Sequence, residues 1–386
     1  MKIALSYVDG WAFYHFRKGL IQELVRRGFH VSVIVSPSDF DRKLEALGVR
    51  VIPVPMERFF SPARDLLLFW RLYQVFRSER FDLVHNNTIK LNIYGTVAAA
   101  LAGIRRRVCL VSGLGFVFAP YLSRQMGLLR FFSLWLYKLA MALSQKTWFQ
   151  NPDDFAFFVE HEIIPPHKGV VIRSGGVNLE EFSPEAVDRE TLAALRQELG
   201  LPSNASCVLM ATARLIWSKG VREFVEAAFR LEARYPDWYF VMVSPRELGS
   251  PDSVPQEYLE AHRPARFIHI DTLRHDIHSF VALSDIMALP SYYPEGVPRG
   301  LLEGLAMAKP IITTDHPGCR EVVEEGKNGY LIPICDSETL ANRLAVLMDD
   351  PGKRAEFGKY SRMKAQREFG EALVVERIIR EVYEIN

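Results

Sequence analysis

The feature that most limits what this chain can fold into is a repeated alternation. Short runs rich in Val, Ile and Leu are each followed by a stretch of helical periodicity, from one end to the other. Such apolar runs read as strands buried on both faces, and strands separated by helices pair in parallel. KIALSYV at 2–8 opens the series. A helix is predicted from about Phe13 to Arg27, where Phe16, Leu20 and Leu24 recur every four residues and Gly28 ends it before HVSVIV at 30–35. Further strands are predicted at 49–54, 81–87 and 107–113. A second series begins with SCVLMATAR at 206–214 and continues at 238–244, 266–270, 285–291 and 310–315. The expected architecture is α/β, with two Rossmann-like domains facing a central cleft. The first occupies 1–172 and the second 173–366; within the terminal segment 367–386, residues Glu368 to Tyr383 form an amphipathic helix that packs back toward the first domain.

A length of 386 residues suits two domains of ordinary size. With 49% hydrophobic and 24% charged residues the composition is globular, which excludes disordered and collagen-like classes. Cys109, Cys207, Cys319 and Cys335 are scattered without CxxC spacing, so neither a zinc ribbon nor a redox pair is encoded. The opening MKIALSYVDGWAF lacks the apolar run and small-residue cleavage site of a signal peptide, and the expected setting is cytoplasmic. Residues 128–143 are interrupted by Arg130 and Lys138 and fall short of the roughly 20 apolar residues a spanning helix needs.

The formal charge of +1 hides an asymmetry. Residues 1–173 hold 23 Lys and Arg against 13 Asp and Glu, and the remainder holds 24 against 33. Between Asp82 and Asp153 there is no acidic residue. That stretch carries Lys90, Arg105, Arg106, Arg107, Arg124, Arg130, Lys138 and Lys146 among Phe116, Phe118, Leu128, Leu129, Phe131, Phe132, Trp135 and Tyr137. Basic and aromatic residues together suit anionic lipid headgroups, so an anionic membrane surface is an expected partner, on the inner face of the cell membrane. Part of RFFSPARDLLLFWRLYQVFR, at 58–77, is expected to extend the same surface. No nucleic-acid-binding motif accompanies the charge, and no nucleic-acid partner is expected.

The most informative stretch runs from Tyr292 to Val323, YYPEGVPRGLLEGLAMAKPIITTDHPGCREVV. Pro298 stands where a helix can begin, and Gly296 permits close backbone approach. A helix starting at about Val297 would aim its free N–H groups at the strand-end crevice, where a diphosphate could sit. Glu295 precedes that start and Glu303 lies on the second turn. As bare spacing, two glutamates eight apart are a weak signal. In ATARLIWSKGVREF, Arg214 closes a strand and Lys219 follows five residues later, before Gly220 and a new helix. Two cations at the mouth of a parallel sheet would neutralise a leaving diphosphate with no metal.

The order Arg214, Lys219-Gly220, Asp276-Ile277, PSYYPEG, Glu295 and Glu303 resembles family 4 of the retaining nucleotide-sugar glycosyltransferases. YHFRKGLIQEL, TIKLNIYGTVAA, VSGLGFVF and VIRSGGVNLEEF are similar, more narrowly, to bacterial enzymes that extend saccharides on undecaprenyl diphosphate. The resemblance implies the GT-B fold, an acceptor held by the first domain and a nucleotide sugar held by the second. It implies retaining transfer of an N-acetylhexosamine, N-acetylgalactosamine first among them, from a UDP-sugar to a polyprenyl diphosphate-linked saccharide, without cofactor or metal. Arg214 and Lys219 would face the diphosphate, Glu303 the ribose and Glu295 the transferred sugar. Gly10, His15, Gly296, Val297, Pro298, Leu302 and Arg274 complete the expected binding set. The pattern departs from the family in its first loop, Asp9-Gly10-Trp11, which is poor in glycine. It departs again at Val111-Ser112-Gly113, where a histidine is usual, and at Ser244-Pro245-Arg246 and Thr272, where glycines are common.

Competing readings are a nucleotide-sugar 2-epimerase of the same fold and a membrane scaffold that binds a nucleotide sugar without turnover. Asp39-Phe40-Asp41 spells a metal-binding DxD motif but falls too early in the chain for one. His85, at the end of FDLVHNN, is open to either a ligand or a structural role. Asn86-Asn87-Thr88 and Asn204-Ala205-Ser206 match glycosylation acceptors by chance.

Overall fold

The computed structural model describes residues 1–57, 61–115, 127–211, 214–247 and 249–385; the side chains of 127–132 fall outside that description. The chain divides into two compact units. Unit 1 comprises Met1–Gly175, Pro294–Gly296 and Glu371–Asn386, and unit 2 comprises Gly176–Tyr293 and Val297–Gly370.

Unit 1 is built on β1 (Lys2–Ser6), β2 (His30–Val35), β3 (Arg50–Pro53), β4 (Leu83–Asn87), β5 (Arg106–Val111), β6 (Lys146–Phe149) and β7 (Gly169–Val171). These pair in parallel in the order β3-β2-β1-β4-β5-β6-β7. Its helices among the described residues are α1 (Gly10–Arg26), α2 (Asp41–Glu45), α3 (Pro62–Glu79), α4 (Thr96–Leu101), preceded by a π-turn at Leu91–Gly95, α5 (Gly127–Leu143) and α6 (Pro152–Glu160). α1 begins three residues earlier than its apolar periodicity suggests, because Asp9 caps it by accepting from the Ala12 N–H at 3.0 Å.

Unit 2 begins with α7 (Arg189–Glu198) and continues through β8 (Ser206–Met210), α8 (Val221–Leu231), β9 (Trp238–Val243), α9 (Gln256–His262), β10 (Phe267–Ile270), α10 (Ile277–Leu283), β11 (Ile286–Leu289), α11 (Arg299–Ala306), β12 (Ile311–Thr314), β13 (Gly329–Ile332), α12 (Ser337–Asp349) and α13 (Pro351–Lys364). Its sheet is parallel in the order β10-β9-β8-β11-β12-β13. Both units are therefore doubly wound. Their strand order reverses once, between β1 and β4 in unit 1 and between β8 and β11 in unit 2. Such a switch point leaves a crevice at the carboxyl edge, where ligands of open parallel sheets bind.

The terminal segment differs from the single helix expected from its sequence. A π-turn (Ala365–Phe369) stops at Gly370, then α14 (Glu371–Arg377) leads into a second π-turn (Ile378–Val382). Val374, Val375, Ile378, Ile379, Val382 and Tyr383 are buried with Leu5, Leu20, Leu83 and Trp148 in the core of unit 1. No described helix is long and apolar enough to cross a membrane.

Candidate functional site

In unit 2 the loops leaving β8 and β11 meet at the switch point. The Ser218 carbonyl accepts from the Tyr292 N–H at 2.8 Å and from the Ser291 hydroxyl at 3.3 Å. Gly220 makes this approach possible: its φ is +80°, and a Cβ there would lie 2.2 Å from the Pro290 carbonyl oxygen. The stitched loops bring three predicted or newly seen groups together. The Arg214 guanidinium carbon stands 4.9 Å from the centre of the Tyr293 ring and the Lys219 ammonium 5.5 Å from it. Lys219 is buried, and Arg214 lies 3.8 Å from the Glu247 carboxylate. Two cations held against one aromatic ring, at a sheet's carboxyl edge, form a fixed positive field. The sequence reading missed Tyr293, since nothing in YYPEG marks which tyrosine turns toward the cations.

α11 follows β11 directly. It begins at Arg299, two residues later than expected, with Pro298 at its cap position and no side chain bonded there. The Pro298 carbonyl accepts from the N–H groups of Leu301 at 3.2 Å and Leu302 at 3.3 Å, so what the helix start offers an anion is chiefly the positive end of its dipole. Glu303, on the second turn, is buried, and one of its oxygens accepts from Arg299 Nε at 2.9 Å. Burial pushes its carboxyl up, while the Arg299 charge pulls it back. Three side chains of the expected binding set are engaged within unit 2. Val297 and Leu302 are packed in the apolar core of unit 2, because they lie on the side of the segment that faces β11 and its neighbours. Arg274 spans two carboxylates, Glu198 at 2.6 Å and Asp276 at 2.7 Å, which raise its affinity for its proton and fill its fork. A phosphate would have to displace one of them.

Glu295 belongs to unit 1, in the short segment Pro294–Gly296. Backbone bonds fix it there: Gly115 N–H donates to the Pro294 carbonyl at 2.9 Å and Gly296 N–H to the Ser112 carbonyl at 2.8 Å. Asn151 Nδ2 approaches the Glu295 carbonyl at 3.4 Å. Gly113, with φ of +110°, lies so close that a Cβ would stand 2.4 Å from the Glu295 Cα. The Ser112-Gly113 departure thus has a local reason: that loop clamps the glutamate's backbone. Asn151 also caps α6 and donates to Asp154 Oδ2 at 2.8 Å.

The remaining candidates lie elsewhere in unit 1. Gly10 opens α1, where a Cβ would fall 2.5 Å from the Ser38 hydroxyl. The His15 ring is half-buried among Trp11, Tyr14 and Phe40. His85 is structural: its Nδ1 lies 2.7 Å from the Tyr383 hydroxyl, and burial, with Arg17 adding to it, drives its pKa down to about 3. Asn86 is buried, its amide bonded to Ser6 and Thr96, which removes it as a glycosylation acceptor. Asp41 starts α2 and accepts from the Ser38 hydroxyl at 3.2 Å.

The basic stretch is only partly a surface. Lys90 is largely buried in an ion pair with Asp65 at 2.6 Å. Arg107 bonds the Leu143 and Ile104 carbonyls, and Tyr137 is core. Trp135 is exposed. Phe116, Phe118 and Arg124, the side chains of Leu128, Leu129, Arg130, Phe131 and Phe132, and Arg58, Phe59 and Phe60 lie outside the described residues.

Two doubly wound parallel-sheet units, one carrying paired cations and an uncapped helix start at its switch point, define a two-domain glycosyltransferase of the GT-B class. Residues 193–364 match the family described as glycosyl transferases group 1, and residues 17–175 match the glycosyl transferase 4-like domain; the chain belongs to this family and is a glycosyltransferase. It is 29% identical, over 98% of both chains, to the N,N'-diacetylbacillosaminyl-diphospho-undecaprenol alpha-1,3-N-acetylgalactosaminyltransferase of Campylobacter jejuni. It is also 29% identical to the UDP-Gal:alpha-D-GlcNAc-diphosphoundecaprenol alpha-1,3-galactosyltransferase of Escherichia coli, over 78% of this chain and 76% of that one. Among solved structures, Anabaena HepE in complex with UDP-glucose superposes with a TM-score of 0.82 at 20% identity over the full length of both chains. That likeness bears on the fold.

Proposed function

We propose that the protein transfers an N-acetylhexosamine, N-acetylgalactosamine first among the candidates, from a UDP-sugar to a saccharide carried on polyprenyl diphosphate, with retention at the anomeric carbon. The observation that carries this reading is the pair Arg214 and Lys219, seated on Tyr293 at the carboxyl edge from which β11 leads on to α11. A field of that sign suits a departing diphosphate. The two undecaprenol-diphosphate relatives support the acceptor class.

In the reaction the acceptor hydroxyl attacks the anomeric carbon from the face the diphosphate leaves. The new C–O bond forms as the bond to UDP breaks, and a departing phosphate oxygen takes the hydroxyl's proton. The protein's contribution is to stabilise charge and to position the partners. Arg214, Lys219 and the N–H groups of α11 would hold the diphosphate, Glu303 the ribose and Glu295 the hydroxyls of the transferred sugar. No metal is required, because the two cations supply the charge. The protein would act as a peripheral enzyme at the cytoplasmic face of the membrane.

Incubation with UDP-linked N-acetylgalactosamine, N-acetylglucosamine, galactose or glucose, with and without polyprenyl diphosphate-linked acceptors, tests the assignment. The expected result is acceptor-dependent release of UDP, greatest with UDP-N-acetylgalactosamine and indifferent to chelator. Isomerisation of a donor in the absence of acceptor, or activity that requires magnesium, would overturn it.

A further inference from the structure

In unit 1, α3, α4 and α5 lie side by side, with α4 touching both neighbours. α3 buries one stripe, Asp65, Leu68, Leu72 and Phe76, so its opposite side would be expected to be polar. Instead Leu66 is 69% exposed, Leu67 46% and Trp70 52%. The same layer also exposes Leu101, at the far end of α4, and Trp135 and Leu139 on α5. These six are half of the twelve large apolar side chains that are exposed among the described residues, and only Leu373 among the others belongs to unit 1. Single exposed hydrophobics need no explanation, but such a concentration on one helical layer marks an interaction surface.

The charges around it select the occupant. α3 presents Arg71 and Arg77, together with Arg64, whose charge is shared with Glu57 in an ion pair. Its two acids are engaged inward or sideways: Asp65 is buried against Lys90, and Glu79 bonds Arg50 at 2.9 Å. On α5, Lys138 falls between Trp135 and Leu139, its nearest acid being Glu162 at 4.0 Å. An apolar stripe rimmed by cations is the chemistry of a helix lying in the headgroup region of an anionic leaflet, with tryptophan at the boundary. A second copy would bring the same cations against their like, which disfavours self-association through this face. The topology adds a position. α3 follows β3 in a parallel sheet, so its first turns, with Leu66, Leu67 and Trp70, stand at the carboxyl edge, the edge at which β1 leads into Gly10.

We propose that the outer stripe of α3, continued by Trp135 and Leu139 of α5, is the face on which this protein rests on an anionic lipid bilayer, placing the carboxyl edge of unit 1's sheet beside the headgroups. The inference deepens the reading of a lipid-linked acceptor and rests on it. It also moves the surface away from Lys90 and Arg107, which the fold uses internally, to a helix that precedes the basic stretch.

The experiment is sedimentation with vesicles of phosphatidylcholine alone or mixed with phosphatidylglycerol, using the intact chain and the triple variant Leu66→Gln, Leu67→Gln, Trp70→Gln. All three positions are exposed, and Phe229→Gln, exposed in unit 2, serves as the matched control. The wild type and the control should sediment with the anionic vesicles at low salt and be partly released at raised salt, and the triple variant should partition at least tenfold less. It should keep its affinity for UDP and its transfer to a short-chain, detergent-dispersed acceptor while losing transfer to a long-chain acceptor embedded in vesicles. Undiminished sedimentation of the triple variant, equal binding to neutral vesicles, or a dimer that the triple variant dissolves would overturn the proposal. Absence of transfer by the wild type to every polyprenyl acceptor would overturn the functional reading instead, and would leave the sedimentation result standing.

Discussion

At the scale of single residues, the cations and the carboxylates separate by what they touch. Arg214→Ala or Lys219→Ala removes a charge facing the diphosphate as it departs, and loss of one such group forfeits about 3 kcal/mol, or roughly a hundredfold in turnover. Both variants should remain folded, since each side chain packs on Tyr293 without closing a core; near-normal kcat in the two would reject the role. Glu303→Gln should instead show itself in binding. A lost hydrogen bond to a charged group costs about 1.5–3 kcal/mol, so titration with UDP should report an affinity at least tenfold weaker. Asp154 carries a different signature. Burial pushes its carboxyl up from the ordinary 3.8 to about 7, against the hydrogen bond from Asn151. Between those values the unfolded chain has released this proton while the folded protein keeps it. The stability contribution is therefore greatest at low pH, falls as pH rises through that window, and levels off above it. Asp154→Asn should flatten this part of the pH dependence of urea unfolding between pH 4 and pH 8; an unchanged slope would place the titration on another group.

At the scale of elements, the loop after β5 is the part whose purpose could not be read in advance. Ser112-Gly113-Leu114-Gly115 looked like a missing histidine, because its partner is a backbone segment some 180 positions away in the chain. Gly113→Ala should displace the Glu295 backbone. A shift of about 1 Å at a reacting centre costs roughly a hundredfold in rate. Since Arg214, Lys219 and Glu303 are untouched, kcat should fall by that order while UDP affinity stays within twofold; parallel loss of both would point to misfolding. Most strands were legible because each is an apolar run bounded by a helix or turn signal. β6, β7 and β13 were not: KTWF and GYLI are no shorter than IMAL or IITT but open on a lysine or a glycine in place of an unbroken apolar run, and GVV has only three residues. The same limit applies to charges. Arg274 and Lys90 read as free cations, and their partners Glu198 and Asp65 lie 76 and 25 residues away, within reach only once the sheets are assembled.

At the scale of the whole molecule, the charge asymmetry was visible by counting, whereas the surface that uses it required knowing which side of α3 faces the solvent. The units are also not contiguous stretches of chain. Unit 1 is completed by Glu371–Asn386, whose apolar residues fill its core and whose Tyr383 bonds His85. A chain ended at Gly370 should therefore retain a folded, UDP-binding unit 2 while unit 1 becomes susceptible to limited proteolysis. Protection of residues 1–175 in that truncated chain would contradict this dependence. A ribosome builds from the amino end, so the terminal segment has consequences in time as well as in space. Unit 2 has all of its residues before unit 1 does, although unit 1 is begun first. The earliest-made half, with its exposed leucines and tryptophans, must wait through the synthesis of the later one for its last sixteen residues. During that interval its sheet lacks part of its cover, which makes it the segment of the nascent chain most in need of a chaperone.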